Sequence, residues 1–423
     1  MEVAVLFGSM AGLIAIGVPI GFAVGGACVL TMALFSNIPL LLITQNCFTG
    51  IDSFPLMAVP FFVLAGVFMG SGGIAKRLLD CVAAVFGFFT GGLATVSVLT
   101  CMFFGAVSGS SVATVSAVGS FMIPEMSRKG YDSGFSSALL ASAGTVGVII
   151  PPSVPLVIYG VATNTSIGDL FKAGIIPGIL MGLSMVVASY IVCRKRGYKG
   201  TGQYIGTAAA IKTFWEAKWA LISPIIILGG IYCGIFTPTE ASVVAVVYSF
   251  VVGTVVYHEL NWRKIYQGIL DAAIISAVTM FLIGFSATFA TYLNMAQIPQ
   301  QLSQFMVTLT DNKIVLLLLI NVLLLIVGAL IDNVPAVLIL SPIFLPIVKL
   351  FGITPVHFGI IMTLNLAIGF ITPPYGINLF VASAIAGEKM ENIIKNILIF
   401  LAALLIVLLL VTYIPYLSLA FVK

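Results

Sequence analysis

The chain has 423 residues, 61% of them hydrophobic and only 8% charged, with a net charge of +4 and a mean hydropathy of +1.21. A soluble domain carries roughly 25% charged residues, so water is excluded as the main solvent, and no basic stripe suited to nucleic acid is present. Six scattered cysteines (Cys28, Cys47, Cys81, Cys101, Cys193, Cys233) without a CxxC pair, and two isolated histidines (His258, His357), argue against a disulfide framework or a metal cluster, since both need grouped ligands.

The N-terminus lacks a basic segment ahead of its apolar stretch and reads as a resident span, not a cleaved signal. Residues 3–35 are too long for one crossing of about 30 Å, so the Gly17-Val18-Pro19 punctuation predicts two spans joined by a tight turn. A third span is predicted over 54–70, and an interfacial helix over 76–90, beginning at Lys76-Arg77. Residues 91–125 hold Gly105-Ala106-Val107-Ser108-Gly109-Ser110-Ser111-Val112-Ala113-Thr114, a run too small and polar for a lipid-facing helix. Residues 134–160 are apolar but broken at Gly147-Val148-Ile149-Ile150-Pro151-Pro152-Ser153, and the span 171–192 ends at Arg194-Lys195-Arg196.

Residues 198–217 read as a hydrophilic linker, after which the series recurs. Spans over 219–236 and 239–257 meet at Pro238, a further span covers 268–292, and 297–310 reads as interfacial. A second small or polar run, Gly328-Ala329-Leu330-Ile331-Asp332-Asn333-Val334-Pro335, precedes a second break, Gly369-Phe370-Ile371-Thr372-Pro373-Pro374, and a span over 393–421 closes the chain. At an offset of 222 residues Pro124 falls on Pro346, Gly130 on Gly352, Gly147 on Gly369, and Pro151-Pro152 on Pro373-Pro374.

These features predict an all-α polytopic membrane protein of two inverted repeats, 1–197 and 218–423. Each repeat has five crossings, a re-entrant hairpin (91–125; 314–349) and a broken helix (134–160; 355–386). An odd number of crossings per half forces the inversion. A cytoplasmic linker then gathers Lys76, Arg77, Arg128, Lys129, Arg194, Lys195, Arg196, Lys199, Lys212, Lys218, Arg263, Lys264, Lys389 and Lys395 inside. Only Lys172, Lys313, Lys349 and Lys423 remain outside, the bias of the positive-inside rule, with both termini periplasmic.

Non-helical backbone at membrane depth must face protein or a wet cavity, so hairpin tips and proline breaks belong at the centre. Ser108, Ser110, Ser111 and Thr114 offer hydroxyls, and Pro151 and Pro152 leave carbonyls without an N–H to serve. Such hard oxygen donors suit an alkali cation, and half-helix N-termini at the same depth suit an anionic group. Asp332, acidic at membrane depth, defaults to a functional role; its counterpart is Ser110, so the two halves differ chemically. Glu240 reads as a helix-start carboxylate, and Asp52 and Asp169 as loop residues in water. No GxxxxGK[ST] loop and no nucleophile–base pair is visible, so the chain reads as no enzyme.

Phe54-Pro55-Leu56-Met57-Ala58-Val59-Pro60-Phe61-Phe62, Ser108–Thr114, Gly147–Ser153, Ala173-Gly174-Ile175-Ile176-Pro177-Gly178 and Thr237-Pro238-Thr239-Glu240-Ala241 resemble the large membrane subunit of tripartite ATP-independent periplasmic (TRAP) transporters over nearly the whole chain. The family pattern carries proline where Val112 stands. The resemblance implies an elevator-type, sodium-driven importer of organic anions in the bacterial inner membrane. It needs no cofactor beyond the coupling ions, and its partners are a small four-helix membrane subunit and a periplasmic substrate-binding protein. It implies sodium ligands at Gly105, Ser108, Ser110, Gly147, Ile150 and Ser153 in one half. In the other half they are Gly328, Asp332, Gly369, Thr372 and Tyr375, partly through backbone carbonyls. Ser111, Thr114, Asn333 and Asn378 are the candidate solute ligands. The expected solute is a sialic acid-like sugar acid or a C4-dicarboxylate. A single-component sodium/anion symporter is the alternative, with an ion channel or a structural subunit behind it.

Overall fold

Lipid offers no partner for a backbone N–H or C=O, so a chain this apolar satisfies its peptide groups within helices. The computed structural model describes residues 2–35, 39–198, 207–310, 312–374 and 376–422, and among them every regular element is helical. Seven of the described helices are long and apolar enough to cross a membrane.

Helices α1 (Glu2–Ala15) and α2 (Ile20–Phe35) turn at Gly17, whose φ of +86° favours glycine. Helix α3 (Leu41–Ile51) is an element the sequence reading did not predict. A 3-10 turn over Phe54–Met57 joins it to α4 (Ala58–Ser71), because Pro55 cannot donate within a continuous helix. Helix α5 (Ile74–Phe86) buries Ile74, Ala75, Leu78 and Val82 and exposes Lys76 and Asp80, the two-sided pattern of an interfacial helix. Helices α6 (Gly92–Ser108) and α7 (Ser111–Arg128) form the first hairpin. The first broken segment is α8 (Ser133–Gly144), a 3-10 turn over Thr145–Val148, a cis Pro151–Pro152 peptide and α9 (Val154–Thr163). Helix α10 (Ile167–Arg196) follows, with Asp169 in its first turn and not in a loop.

Helix α11 (Thr207–Tyr232) begins inside the stretch read as linker. Helix α12 (Pro238–Val251) starts with Thr237 and Glu240 in a reciprocal capping box, so Glu240 is the expected helix-start carboxylate. A π-helical turn over Val252–Val256 leads to α13 (Trp262–Met295), longer at its N-terminus than predicted, and to α14 (Ile298–Leu309). The second hairpin is α15 (Lys313–Gly328) and α16 (Asn333–Leu350). The second broken segment is α17 (Pro355–Gly369), a cis Pro373–Pro374 peptide and α18 (Ile377–Ala386). The predicted last span divides at Pro415 into α19 (Met390–Tyr413) and α20 (Tyr416–Leu419).

Element boundaries follow the 222-residue offset. Helices α7 and α16 run over 111–128 and 333–350, and α8 and α17 start at 133 and 355. Both hairpins end near a glycine of positive φ, Gly130 (+81°) and Gly352 (+69°), and both breaks hold a cis proline pair. The uninterrupted α13 spans the positions that α3 and α4 cover in two pieces, since Ala277 stands where the first half has Pro55.

Helices α3, α4, α12 and α13 pack together, with Thr288 Oγ1 donating to the Ile43 carbonyl at 3.1 Å. The hairpins and broken helices pack with α10 and α19. The two groups meet at α13 against α16 of hairpin 2 and at α4 against hairpin 1, where α4 presents glycines. A Cβ on Gly66 would lie 3.2 Å from Ser108 Cα, and one on Gly70 would lie 3.9 Å from Ala117 Cβ.

Basic residues assigned to one face meet in two clusters. Arg77 pairs with Glu259 at 2.7 Å and stacks 3.8 Å from the Tyr257 ring centroid, while Lys264 Nζ donates to the Ser71 carbonyl at 3.2 Å. Arg196 donates to Asn396 Oδ1 at 2.6 Å and lies 3.5 Å from Asp132 Oδ2.

Candidate transport site

Hairpin 1 turns at Gly109, in the left-handed region at φ +62°, and Ser110 caps α7 by accepting from the Ala113 N–H at 3.4 Å. Behind the cap, Thr114 Oγ1 donates to the Ser110 carbonyl at 2.7 Å and shares a 3.1 Å hydrogen bond with Ser108 Oγ. The tip rests on the first break: the Val154 N–H donates to the Gly109 carbonyl at 3.3 Å. A Cβ on Gly105 would come 2.7 Å from Gly147 Cα, and one on Gly147 would come 2.7 Å from Thr114 Oγ1 and 2.9 Å from the Ser110 carbonyl oxygen. Glycine at both positions therefore lets a hydroxyl- and carbonyl-rich turn lie directly on broken backbone. Ser153 caps α9 and donates to the Val148 carbonyl at 2.6 Å. Ile150 turns its side chain onto Gly178 of α10, so only its backbone is free to serve an ion.

Hairpin 2 repeats this construction with different chemistry. Asp332 caps α16, its Oδ1 accepting from the Asn333 N–H at 2.8 Å, and no ion pair to it occurs among the described residues. Gly369 lies directly on Gly328. Thr372 Oγ1 donates to the Ile368 carbonyl at 2.8 Å, and the Asn378 N–H to the Phe370 carbonyl at 3.1 Å. Tyr375 lies outside the described residues. Asn378 also joins the halves: its Nδ2 donates to Ser111 Oγ at 2.7 Å and to the Ala141 carbonyl at 2.8 Å. Asn333 is 1% exposed, yet neither its Nδ2 nor its Oδ1 has a partner among the described residues. Buried amides left unpaired are costly and rare, so Asn333 is built to meet something else.

A cavity of about 840 Å³ opens between the tips. Hairpin 1 lines it from Ser108 to Ala113 and along α7 to Phe121; hairpin 2 contributes Asp332, Asn333 and Val334. The opposite wall is α4 from Val63 to Gly70 and α13 from Asp271 to Thr279. Of the predicted residues, Ser108, Ser110, Ser111, Asp332 and Asn333 line the cavity, Gly105, Thr114 and Gly147 cluster behind hairpin 1, and Gly328 meets Gly369 behind hairpin 2. His258 and His357 do not line it. Asp271 was missed, although an acid inside a predicted span is itself a signal. Two carboxylates, Asp271 and Asp332, line the cavity, and no Lys, Arg or His does among the described residues. Val112 is the second residue of α7 and lines the cavity; proline there would remove one helix-start N–H that valine keeps.

The family described as "Tripartite ATP-independent periplasmic transporter, DctM component" matches residues 7–417. The chain is 47% identical to the isethionate TRAP transporter permease protein DctMQ of Oleidesulfovibrio alaskensis; the match covers 99% of this chain and 66% of that protein. It is 43% identical to the C4-dicarboxylate TRAP transporter large permease protein DctM of Pseudomonas aeruginosa, covering 92% of this chain and 91% of that one. The sialic acid TRAP transporter large permease protein SiaM of Vibrio cholerae is 38% identical, covering 96% and 95%. Among solved structures, the YdaH transporter of Alcanivorax borkumensis superposes with a TM-score of 0.63 at 18% identity, covering 88% of this chain and 86% of that one. At that identity the likeness speaks for the fold alone.

Proposed function

Since the chain belongs to the DctM family of tripartite ATP-independent periplasmic transporters as a large permease, we propose that it couples inward sodium movement to uptake of an organic anion at the cavity between the two hairpin tips. The observation that carries this reading is the pairing of two unlike tips on one cavity: a carboxylate without a cationic partner, Asp332, and a capped helix N-terminus with hydroxyls, at Ser110 and Ser111. Sodium, when bound, supplies positive charge beside the solute's anionic group. The chain's part is to offer oxygens at Gly105, Ser108, Ser110, Gly147, Ile150 and Ser153, and at Gly328, Asp332, Gly369, Thr372 and Tyr375. Ser111, Asn333 and the α7 N–H groups hold the anion, with Thr114 and Asn378 fixing the tip behind them. The solute is a carboxylate or sulfonate of the kind named for the relatives, delivered by a periplasmic binding protein, with a small membrane subunit beside this chain.

The halves are inverted in this reading, and the hairpins with their broken helices move as one body past α4 and α13. In this reading the basic ends at Arg128 and Arg263 face the cytoplasm, and the cavity, which reaches Phe121 on α7 and Asp271 on α13, opens on that side. Uptake into proteoliposomes holding the chain and both partners is the test. Uptake that rises with an inward sodium gradient and vanishes in potassium is expected; equal uptake in potassium would end the coupling claim. Uptake by the chain alone would favour a single-component symporter.

A further inference from the structure

We propose, resting on the transport reading above, that Asp271 is a specificity-determining residue that restricts the solute to monoanions carrying hydrogen-bond donors at the other end. The cavity has one end suited to an anion. There the α7 N-terminus presents the N–H groups around Ser111 and Val112, and Asn333, 1% exposed, leaves its Nδ2 donor without a partner beside them. The facing wall is different. Asp271 lies about 14 Å along α13 from its first residue, with apolar Ile269, Leu270, Ile274 and Ile275 around it in sequence. Asp271 lines the cavity, and Gln267 Nε2 donates to its Oδ1 at 2.8 Å.

No Lys, Arg or His among the described lining residues can neutralise a second anionic group. Sodium at Asp332 and at the first tip offsets charge at the hairpins, on the moving side. A solute with a second carboxylate would bring it to the wall that carries Asp271, where like charges repel and no basic side chain among the described lining residues offsets them. A hydroxyl or amino group at that end instead finds an acceptor. Asp271 therefore acts by excluding dianions and by receiving a donor, while the anion end is built elsewhere.

The test uses the full chain purified with its small membrane subunit, titrated in sodium chloride with isethionate, N-acetylneuraminate, succinate and malate, with binding read as a shift in melting temperature. At least one monoanion should bind about tenfold more tightly than either dianion. Asp271→Asn should raise dianion affinity relative to monoanion affinity about tenfold. Equal sodium-dependent binding of monoanions and dianions by the native chain, or an unchanged ratio in Asp271→Asn, would overturn the assignment and leave the transport reading standing. No sodium-dependent binding of any of the four by either protein would overturn the transport reading and this inference with it.

Discussion

Ser110 and Asp332 sit 222 residues apart and cap the helices leaving the two hairpin tips. A serine cap and an aspartate cap do the same local work, satisfying N–H groups at a helix start. They differ in charge, and at membrane depth that difference dominates: a carboxylate there costs about 2.5–3.5 kcal/mol on insertion scales unless something compensates it. No basic side chain pairs with Asp332 among the described residues. Replacing Asp332 with Ala should abolish sodium-driven uptake while the protein still assembles, checked by transport and size-exclusion chromatography; unaltered uptake would remove Asp332 from the site. Asn378 is a second point where one side chain carries much. Asn378→Leu strands Ser111 Oγ and the Ala141 carbonyl, each of which then carries a desolvation cost of about 1–3 kcal/mol. A lower melting temperature and weaker solute binding are expected together; an unchanged melting temperature would show that the bridge contributes nothing. Asp332 was legible in the sequence because an acid within an otherwise apolar stretch stands out. Asn378 as a bridge was not, since its partners lie 267 and 237 residues away in the chain.

Each hairpin lies on its broken helix through paired glycines, and that packing is tight enough to be tested one methyl at a time. A Cβ on Gly147 would meet Thr114 Oγ1 at 2.7 Å, and one on Gly369 would overlap the Gly328 backbone. Overpacking of this kind costs about 1–3 kcal/mol, and here it also pushes hairpin and break apart. Gly147→Ala and Gly369→Ala should each lower the melting temperature and suppress uptake. Gly229→Ala in α11, with nothing within 4 Å, should do neither. Equal behaviour of all three would show that the hairpin contacts are slack. The hairpins and breaks were visible in the sequence because Gly and Pro clusters interrupt otherwise continuous apolar runs. Helix α3 was not: Thr44, Gln45, Asn46 and Thr49 dilute its apolar character, and the Pro55 break separates it from α4, so no span-length signal remained. The start of α11 was hidden for a similar reason, since Lys212, Glu216 and Lys218 make its first turns look like linker.

At the scale of the whole molecule, the 222-residue offset recurs in matching helix boundaries, cis proline pairs and hairpin ends. The chain therefore repeats an architecture while placing different chemistry at each tip. That plan was readable from five matched Gly and Pro positions. The cavity was only half readable, because its far wall comes from α4 and α13, and nothing local in α13 marks Asp271 as facing a tip formed by residues 108–113. Gly66 and Gly70 of α4 face Ser108 and Ala117 of hairpin 1, and in the proposed transport cycle hairpin 1 travels along this seam. The Cβ separation of 3.9 Å between an added Cβ on Gly70 and Ala117 Cβ lies within the range that a disulfide spans. The most direct measurement is sodium-driven uptake by a Gly70→Cys/Ala117→Cys chain, with exposed Cys233 replaced by serine, reconstituted with both partners. Oxidation should stop uptake and reduction should restore it. Full uptake by a chain shown to be cross-linked would contradict the account.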